Sequence, residues 1–259
     1  MCLLVLSSLL VLLLTSPSLA QQDLSSALTP DLLGWWRSLP GFTGGDKFID
    51  STAARRHGVL SGGTTWKADM VLGTPVLVLS FDGTTDGVVI PGALGAPATL
   101  SIVLWASFQA DADGGQVFSI ENSVVIYINN TGLINALYGD GTTTHTIAAT
   151  TSIIGTGYHC IVYVVNPSGA AQTLSIDGEQ VAADTSALAI SYAGATNTYL
   201  ARNPNDNFDV TGTIAEVRVY SRALSTAEVR SLSAVRTPAR PPPSLTFAQI
   251  LSRFLFFFQ

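Results

Sequence analysis

Hydrophobic and polar residues alternate through most of the chain, and clusters of Gly, Asn and Asp separate the alternating runs. A period of two places every second side chain on one face of a strand. Many short strands joined by tight turns are typical of an all-β sandwich or barrel. The pattern predicts strands at residues 32–36, 76–81, 87–90, 100–108, 116–120, 124–128, 133–138, 144–148, 158–165, 172–176, 198–201 and 213–220.

Residues 212–232 contain a strand, a turn and a helix in one run. The strand is predicted with one face in a core, because its apolar positions alternate at Ala215, Val217 and Val219. Ser225 and Glu228 have the spacing of a helix capping box, and Leu224 and Val229 have the spacing of its hydrophobic staple. A short helix is therefore expected after the last strand.

Two turn signals join neighbouring strands. Asp177-Gly178 is a favoured hairpin dipeptide, and residues 129–132 form a second turn signal. Asn129 also begins an N-glycosylation acceptor sequence, Asn-Asn-Thr, which a eukaryotic secretory host would modify in an exposed turn. The alternative is that this asparagine serves only the geometry of the turn.

The first twenty residues resemble a secretory signal peptide. Residues 3–14 are apolar apart from two serines, and the small residues Ser18 and Ala20 precede a cleavage point before Gln21. We therefore predict a signal peptide at 1–20, a polar lead at 21–30 and a secreted or extracellular protein. An uncleaved anchor is the alternative, although the run is short for a bilayer span.

Residues 235–259 are predicted to lie outside the folded domain as a linker and an apolar tail. Consecutive prolines in 237–243 favour an extended linker. The tail at 245–258 is rich in Phe, but it is short for a bilayer span and contains Arg253. Attachment to a membrane through this tail, as in a GPI signal, is therefore not favoured. A partner-docking segment and a poorly ordered extension remain the other interpretations.

Composition narrows the class of partner. The chain has 259 residues and a net charge of −6, with 12 Lys and Arg, which argues against a nucleic-acid surface.

Cys2 lies in the predicted signal peptide, so the mature chain would keep only Cys160 and form no internal disulfide. Cys160 alternates with Tyr158 and Val162, a pattern that predicts a buried, unreactive thiol.

Several strings resemble, in sequence order, the pattern of laminin-G-like domains of the concanavalin A-like lectin/glucanase superfamily. They are Leu33-Gly34-Trp35-Trp36, His57-Gly58-Val59-Leu60, residues 79–83, residues 100–106, Gly157-Tyr158-His159, residues 174–178 and the closing run GTIAEVRVYSRALS. The resemblance covers residues 31–234. It implies a jelly-roll β-sandwich of antiparallel sheets with a short C-terminal helix and an extracellular setting, but it does not identify a ligand.

The same superfamily contains glycoside hydrolases, which carry paired carboxylates in a string such as E-x-D-x-x-E. Glu121, Glu179, Glu216 and Glu228 have no acidic partner at that spacing, so we predict no catalytic residues. The predicted function is a non-enzymatic module that binds a glycan or an extracellular protein surface. The alternatives are a glycan-active hydrolase or lyase and a structural subunit of an extracellular assembly.

The resemblance also implies calcium, because many laminin-G-like domains hold this ion at a loop rim. Hard cations require several oxygen ligands, and the carboxylates offered here are Asp82, Asp86, Asp206 and Asp209. Ala215 stands where the family usually has Asp, which removes one further carboxylate. The alternative is that these are polar turn residues. The three histidines lack a second histidine at ligand spacing, so we expect them to fix loops.

Carbohydrate binding requires exposed aromatic faces beside planar polar groups. Tyr127 and Tyr138 are the strand aromatics predicted to contact a ligand. The polar groups are predicted in the loop before the last strand, at Asn203, Asn205, Asp206 and Asn207. The alternative is that the aromatic residues belong to the core, as strand aromatics usually do.

Overall fold

The computed structural model describes residues 31–39, 44–109, 114–169, 171–185, 188–205 and 208–234. Two antiparallel sheets pack against each other, and a helix follows the last strand. The strands are β1 Leu32–Arg37, β2 Lys47–Phe48, β3 Gly58–Ser61, β4 Thr65–Val71, β5 Thr74–Asp82, β6 Gly87–Pro91, β7 Leu100–Phe108, β8 Gly115–Ile120, β9 Val124–Ile128, β10 Ile134–Gly139, β11 Thr144–Ala148, β12 His159–Asn166, β13 Ala171–Ile176, β14 Glu179–Asp184, β15 Asn197–Leu200 and β16 Thr211–Tyr220, and the helix is α1 Thr226–Ala234.

The first sheet has the order β14-β13-β12-β7-β16-β5-β4, and β1 also pairs with β16. The second sheet has the order β11-β10-β9-β8-β15-β6-β3-β2. Neighbours that are distant in sequence, such as β7 and β16, give the crossed connections of a jelly roll. The predicted all-β sandwich is therefore confirmed.

The inner faces of both sheets form one hydrophobic core. In β7, Ile102, Leu104 and Ala106 point into this core, while Val103 and Trp105 point to the other face. This division follows the period of two, which places alternate side chains on opposite faces of a strand.

A second hydrophobic cluster covers the outer face of the first sheet. Trp105 and Val162 on the strands pack in it with Val71 of the β4–β5 hairpin and with Val229 and Leu232 of α1. Cys160 belongs to the same cluster, and burial raises the pKa of its thiol to about 12, which leaves it protonated and unreactive. The outer face of this sheet is thus covered by the chain itself.

The helix begins as the sequence predicts. The backbone N–H of Ser225 donates to Glu228 Oε2 at 2.8 Å, and the N–H of Glu228 donates back to Ser225 Oγ at 3.3 Å. Leu224 and Val229, the predicted staple, are both buried in the second cluster. The cap and the staple together hold α1 against the sheet.

Four strands were not predicted: β2, β3, β4 and β14. β4 and β14 are the two edges of the first sheet and β2 is an edge of the second, so much of their surface is in solvent. Edge strands carry polar residues on both faces and lack a clear alternation. Residues 57–60 matched the laminin-G-like pattern without a predicted strand, yet Gly58–Ser61 pairs with both β2 and β6.

The expectation that β16 has a single buried face was wrong. The strand carries a bulge between Ile214 and Glu216, so Ala215 lies in the second cluster while Val217 lies in the inner core. The polar face is covered as well, because the Glu216 side chain is only 1% exposed. A β-bulge adds one residue to a strand and so resets the alternation that follows it.

The predictions for 1–20, 21–30 and 235–259 concern residues that lie outside the described ones, as do those for Asp206 and Asn207. Within the ranges given above, no helix combines the length and apolar character needed to cross a bilayer.

Candidate functional site

A groove of about 340 Å³ lies on the outer face of the second sheet. Aliphatic, aromatic and amide side chains line it together with one glycine: Val125, Ile128, Leu137, Tyr127, Phe208, Gln116, Asn129, Asn130 and Gly115. We refer to this set as the groove.

The floor of the groove follows from the register of β8, β9 and β10. Tyr127 lies opposite Gln116 on β8, and Val125 lies opposite Leu137 on β10. Because Ile126, between Val125 and Tyr127, points into the inner core, these two side chains point outward. Alternation within β9 therefore produces an apolar floor on the face that does not meet the first sheet.

One wall of the groove comes from the loop between β15 and β16. The N–H of Gln116 donates to the carbonyl of Phe208 at 2.9 Å, which fixes the loop against the start of β8. Gly115 permits this approach, because a Cβ at that position would come within 2.4 Å of the Asp209 carbonyl oxygen. Phe208 is held at the groove with 47% of its surface exposed.

The turn between β9 and β10 forms the opposite rim. Asn129 Oδ1 accepts hydrogen bonds from the N–H and hydroxyl of Thr131, at 3.0 and 2.7 Å, and from the N–H of Leu133 at 2.9 Å. This Asx turn gives the acceptor sequence a fixed shape, and Asn130 beside it is exposed. The predicted turn is confirmed, while glycosylation stays a prediction.

The described lining of the groove carries no charged side chain. Burial raises the pKa of the Tyr127 phenol above its ordinary value, so this ring is neutral. Gln116 Oε1 is buried and has no hydrogen-bond partner among the residues that the structure describes. An unpaired carbonyl oxygen beneath an apolar groove is costly and favours the arrival of a donor.

Asn203 and Asn205, the two predicted polar ligands of this loop that the structure describes, do not line the groove. Asn203 and Asp209 are buried, and Asn203 Oδ1 accepts the N–H of Asn205 at 3.0 Å. Asn205 is exposed. Among the described residues of this loop, Phe208 lines the groove, whereas Asn203 shapes the loop.

Tyr138 does not fit its predicted role. It is 1% exposed in the inner core and stacks on His145, with ring centroids 4.9 Å apart. His145 in turn lies 3.0 Å from Asp140 Oδ2, and this hydrogen bond is the main cause that lowers the pKa of Asp140. Tyr138 belongs to the packing of the sheet, which was the alternative interpretation for strand aromatics.

The candidate calcium ligands Asp82 and Asp86 shape the turn between β5 and β6. Asp82 Oδ1 accepts the hydroxyl and N–H of Thr84, which lower the pKa of Asp82, and its own N–H donates to Asp86 Oδ2 at 2.9 Å. Asp86 is buried, and its Oδ1 lacks a hydrogen-bond partner within the described part of the chain.

These carboxylates do not form a calcium site by themselves. Calcium takes six to eight oxygen ligands, and the described residues contain no group of three His, Cys, Asp or Glu side chains placed to hold a metal ion. The sequence-based calcium prediction therefore depends on Asp206, which lies outside them.

Each glutamate has a structural partner. Glu121 accepts from the Thr196 hydroxyl at 2.9 Å, and Glu179 lies 3.5 Å from Arg230. Glu216 accepts from Trp35 Nε1 at 2.9 Å and pairs with Arg218. Glu228, already described, caps α1. Glu121, Glu216 and Glu228 are thus held by structural hydrogen bonds, while Glu179 forms a largely exposed ion pair.

His159 has the neighbours of a hydrolase triad but not the proton arrangement. Its Nδ1 lies 2.6 Å from Asp177 Oδ2, and its Nε2 lies 2.8 Å from Thr156 Oγ1. The Thr156 hydroxyl, however, donates to the Ile153 carbonyl at 2.6 Å, so its proton is committed to the turn. Asp177 Oδ1 also accepts the N–H of Cys160, which ties the β13–β14 hairpin to β12.

Sequence comparison agrees with this architecture. The Laminin_G_3 family, of the concanavalin A-like lectin/glucanases superfamily, matches residues 82–230, which is more than half of the chain. The chain belongs to this family. No curated protein sequence matches the chain significantly.

Solved structures that resemble this Laminin_G_3 chain include binding domains and an enzyme. Domain 4 of AbnA, an extracellular arabinanase from Geobacillus stearothermophilus, was solved in complex with arabinotriose; it has a TM-score of 0.61 and 17% identity, over 78% of this chain and 98% of that one. The binding domain of Botulinum Neurotoxin DC in complex with SialylT has a TM-score of 0.60 and 10% identity, over 79% and 51%. Trypanosoma rangeli sialidase with the inhibitor DANA has a TM-score of 0.55 and 15% identity, over 77% and 32%.

At these identities the likeness shows the fold alone. The chain spans about half of the toxin binding domain and nearly all of the arabinanase domain. Family membership and fold are thus established, while the ligand has to be argued from the groove. Sequence reasoning found Tyr127, but it missed Gln116, Val125 and Leu137, which the register of three strands brings together.

Proposed function

We propose that this protein is a secreted, non-enzymatic module that binds carbohydrate in the groove on the second sheet. The observation that carries the proposal is the meeting of Tyr127 and Phe208 with Gln116 and Asn129 around one apolar floor. Sugar rings present apolar C–H faces that pack on aromatic rings, and their hydroxyls hydrogen-bond with amide side chains.

The neighbouring structures support a carbohydrate ligand. Domain 4 of the arabinanase was solved in complex with arabinotriose, and the toxin binding domain in complex with SialylT. A non-enzymatic role is supported by the described lining of the groove, which contains no Asp or Glu, because a glycosidase needs two carboxyl groups facing one glycosidic bond.

The test is binding of the secreted protein to an oligosaccharide array, followed by calorimetric titration of each hit. Phe208→Ala and Tyr127→Ala should each weaken binding by about tenfold or more, because each removes one stacking face. Met70→Ala is the matched control, since Met70 is 55% exposed but lies on β4 of the other sheet.

Two results would count against the proposal. Release of reducing ends from a bound saccharide would overturn the non-enzymatic assignment. Equal affinities of the Phe208→Ala, Tyr127→Ala and Met70→Ala variants would place the binding site elsewhere on the molecule.

A further inference from the structure

We infer that the groove selects neutral saccharides over anionic ones; this inference rests on the proposed carbohydrate function. Its first basis is electrostatic. The described residues of the lining offer no cation to an anionic sugar, and the protein carries a net charge of −6. Proteins that recognise carboxylate, sulfate or phosphate groups place Arg or Lys, or a nest of backbone N–H groups, against them.

Several arginines of the chain are engaged away from the groove. The guanidiniums of Arg37 and Arg218 stack on the Trp35 ring of the first sheet, 3.7 and 4.5 Å from its centroid. Arg222 forms a bidentate pair with Glu228 at the start of α1, at 3.0 and 2.7 Å. These cations are fixed to the first sheet and its helix, so they do not serve a ligand on the outer face of the second.

The second basis is that the side-chain oxygen of Gln116 is a hydrogen-bond acceptor that needs a donor. Its Oε1 lacks a donor among the described residues, and a sugar hydroxyl or an N-acetyl N–H can supply one. Carboxylate and sulfate oxygens only accept, so an anionic group placed beside this atom cannot satisfy it, whereas a hydroxyl at the same place can. The oxygen is covered in the free protein, and a turn of the Gln116 amide toward the groove is needed for a ligand to reach it.

The third basis is the apolar character of the floor. Val125, Leu137 and the neutral Tyr127 ring provide a surface of low polarity on which a charged group would lose water without gaining a partner. A pyranose or furanose face loses little water on the same surface. The three observations together identify neutral, hydroxyl-bearing glycans as the ligand class.

The experiment uses pairs of oligosaccharides that differ in a carboxylate. Suitable pairs are β-1,4-mannohexaose with the β-1,4-mannuronate hexamer and cellohexaose with the β-1,4-glucuronate hexamer, in which a carboxylate replaces each C6 hydroxymethyl group; arabinotriose is added as a further neutral probe. Calorimetry with the secreted protein should show the neutral member binding at least about tenfold more tightly. Its Kd should not change between about 50 mM and about 500 mM NaCl.

Three variants sharpen the test. Gln116→Leu removes the acceptor and should weaken neutral binding while leaving the melting temperature unchanged or raised, because no unpaired oxygen stays buried. Gln116→Asn keeps an uncharged amide acceptor and should retain more neutral binding than Gln116→Leu. Asn130→Lys adds a cation at the exposed rim and should improve the affinity of the uronate hexamers only.

The outcomes separate this inference from the proposed function. Equal or tighter binding of the anionic members, weakened by Phe208→Ala, would overturn the neutral preference and leave carbohydrate binding in the groove intact. Binding that falls steeply with salt would do the same. Failure of every neutral and anionic probe to bind would remove the proposed function together with the inference.

Discussion

The outer faces of the two sheets differ in what covers them. On the first sheet, Trp105 and Val162 are buried in one cluster with Val229 and Leu232 of α1. On the second sheet, Tyr127 and Leu137 stay partly exposed in the groove, and Phe208 is half exposed beside them. Both faces carry apolar residues, so hydrophobicity alone does not distinguish a packing surface from a binding surface. The two faces differ in whether another segment of the chain packs over them.

The largest expected effect comes from matched Leu→Ala substitutions on the two faces. Leu232→Ala removes a buried side chain from the cover of the first sheet and should lower the free energy of unfolding by about 2–5 kcal/mol. Leu137→Ala opens the floor of the groove and should cost less than about 1.5 kcal/mol. Urea denaturation of both variants gives the comparison directly.

The affinity for saccharides should be affected in the reverse order, more by Leu137→Ala than by Leu232→Ala. Leu137→Ala should weaken binding of the saccharides found on the array, whereas folded Leu232→Ala should bind as the parent protein does. Similar losses of stability in the two variants would mean that the groove is a packing surface, and the contrast between the two faces would fail.

The second-largest expected effect on stability is that of calcium binding at the loop between β15 and β16, which contributes Phe208 to the groove. If Asp206 and Asp209 hold the ion, alone or with Asp82 and Asp86, a hundredfold excess of calcium over its Kd should stabilise the protein by about 2.7 kcal/mol. Thermal unfolding in calcium and in chelator measures this gain as a rise in melting temperature of several degrees.

The control for calcium is a pair of aspartate substitutions. Asp206→Asn with Asp209→Asn should abolish the rise in melting temperature, while Asp46→Asn at an exposed position should retain it. Identical melting temperatures of the parent protein in calcium and chelator would remove the metal prediction and leave the loop as ordinary turn chemistry.

A smaller, pH-dependent effect tests the cover of the first sheet. The hydrogen bonds from Arg222 lower the pKa of Glu228 from 4.5 to about 2. A carboxylate with a depressed folded-state pKa stabilises the protein above pH 4.5, and this stability is lost as the pH falls toward 2. Glu228→Gln should therefore cost about 1 kcal/mol near neutral pH, the usual size for a cap.

The difference between the parent protein and Glu228→Gln should shrink as the pH falls through that window, as followed by urea denaturation at several pH values. Glu179→Gln is the control, because the Glu179–Arg230 pair is largely exposed and contributes little. A constant difference at all pH values would show that the ionised carboxylate does not support the cap.

Glycosylation of Asn129 should have the smallest effect on stability and a clear effect on the groove. Asn129 lies in an exposed turn and also lines the groove, so an attached glycan would obstruct ligand entry. Protein secreted from a eukaryotic host should carry the modification in peptide mass mapping and bind the array saccharides more weakly than the same protein after enzymatic deglycosylation. An unmodified Asn129 peptide would contradict the prediction.

Much of the fold could be predicted from local sequence, because its signals act over a few residues. The alternation of Ile102, Leu104 and Ala106 fixes which face of β7 enters the core, and Ser225 with Glu228 fixes the start of α1. The Asp177-Gly178 hairpin follows from the positive φ angles, 52° and 88°, that this dipeptide accepts readily. The resemblance to the laminin-G-like pattern extended these local signals to the whole sandwich.

Only the tertiary structure decided where the groove lies. Gln116 and Tyr127 are brought together by the pairing of β8 with β9, and Phe208, which is distant from both in sequence, joins them through the hydrogen bond from the Gln116 N–H to its carbonyl. The tertiary structure also decided that Tyr138 is buried, because its face of the strand meets the opposing sheet. It decided that Ala215 lies on the other face from Val217, because local periodicity does not reveal a β-bulge. Strand alternation specifies two faces, but which of them is covered depends on segments distant in the chain.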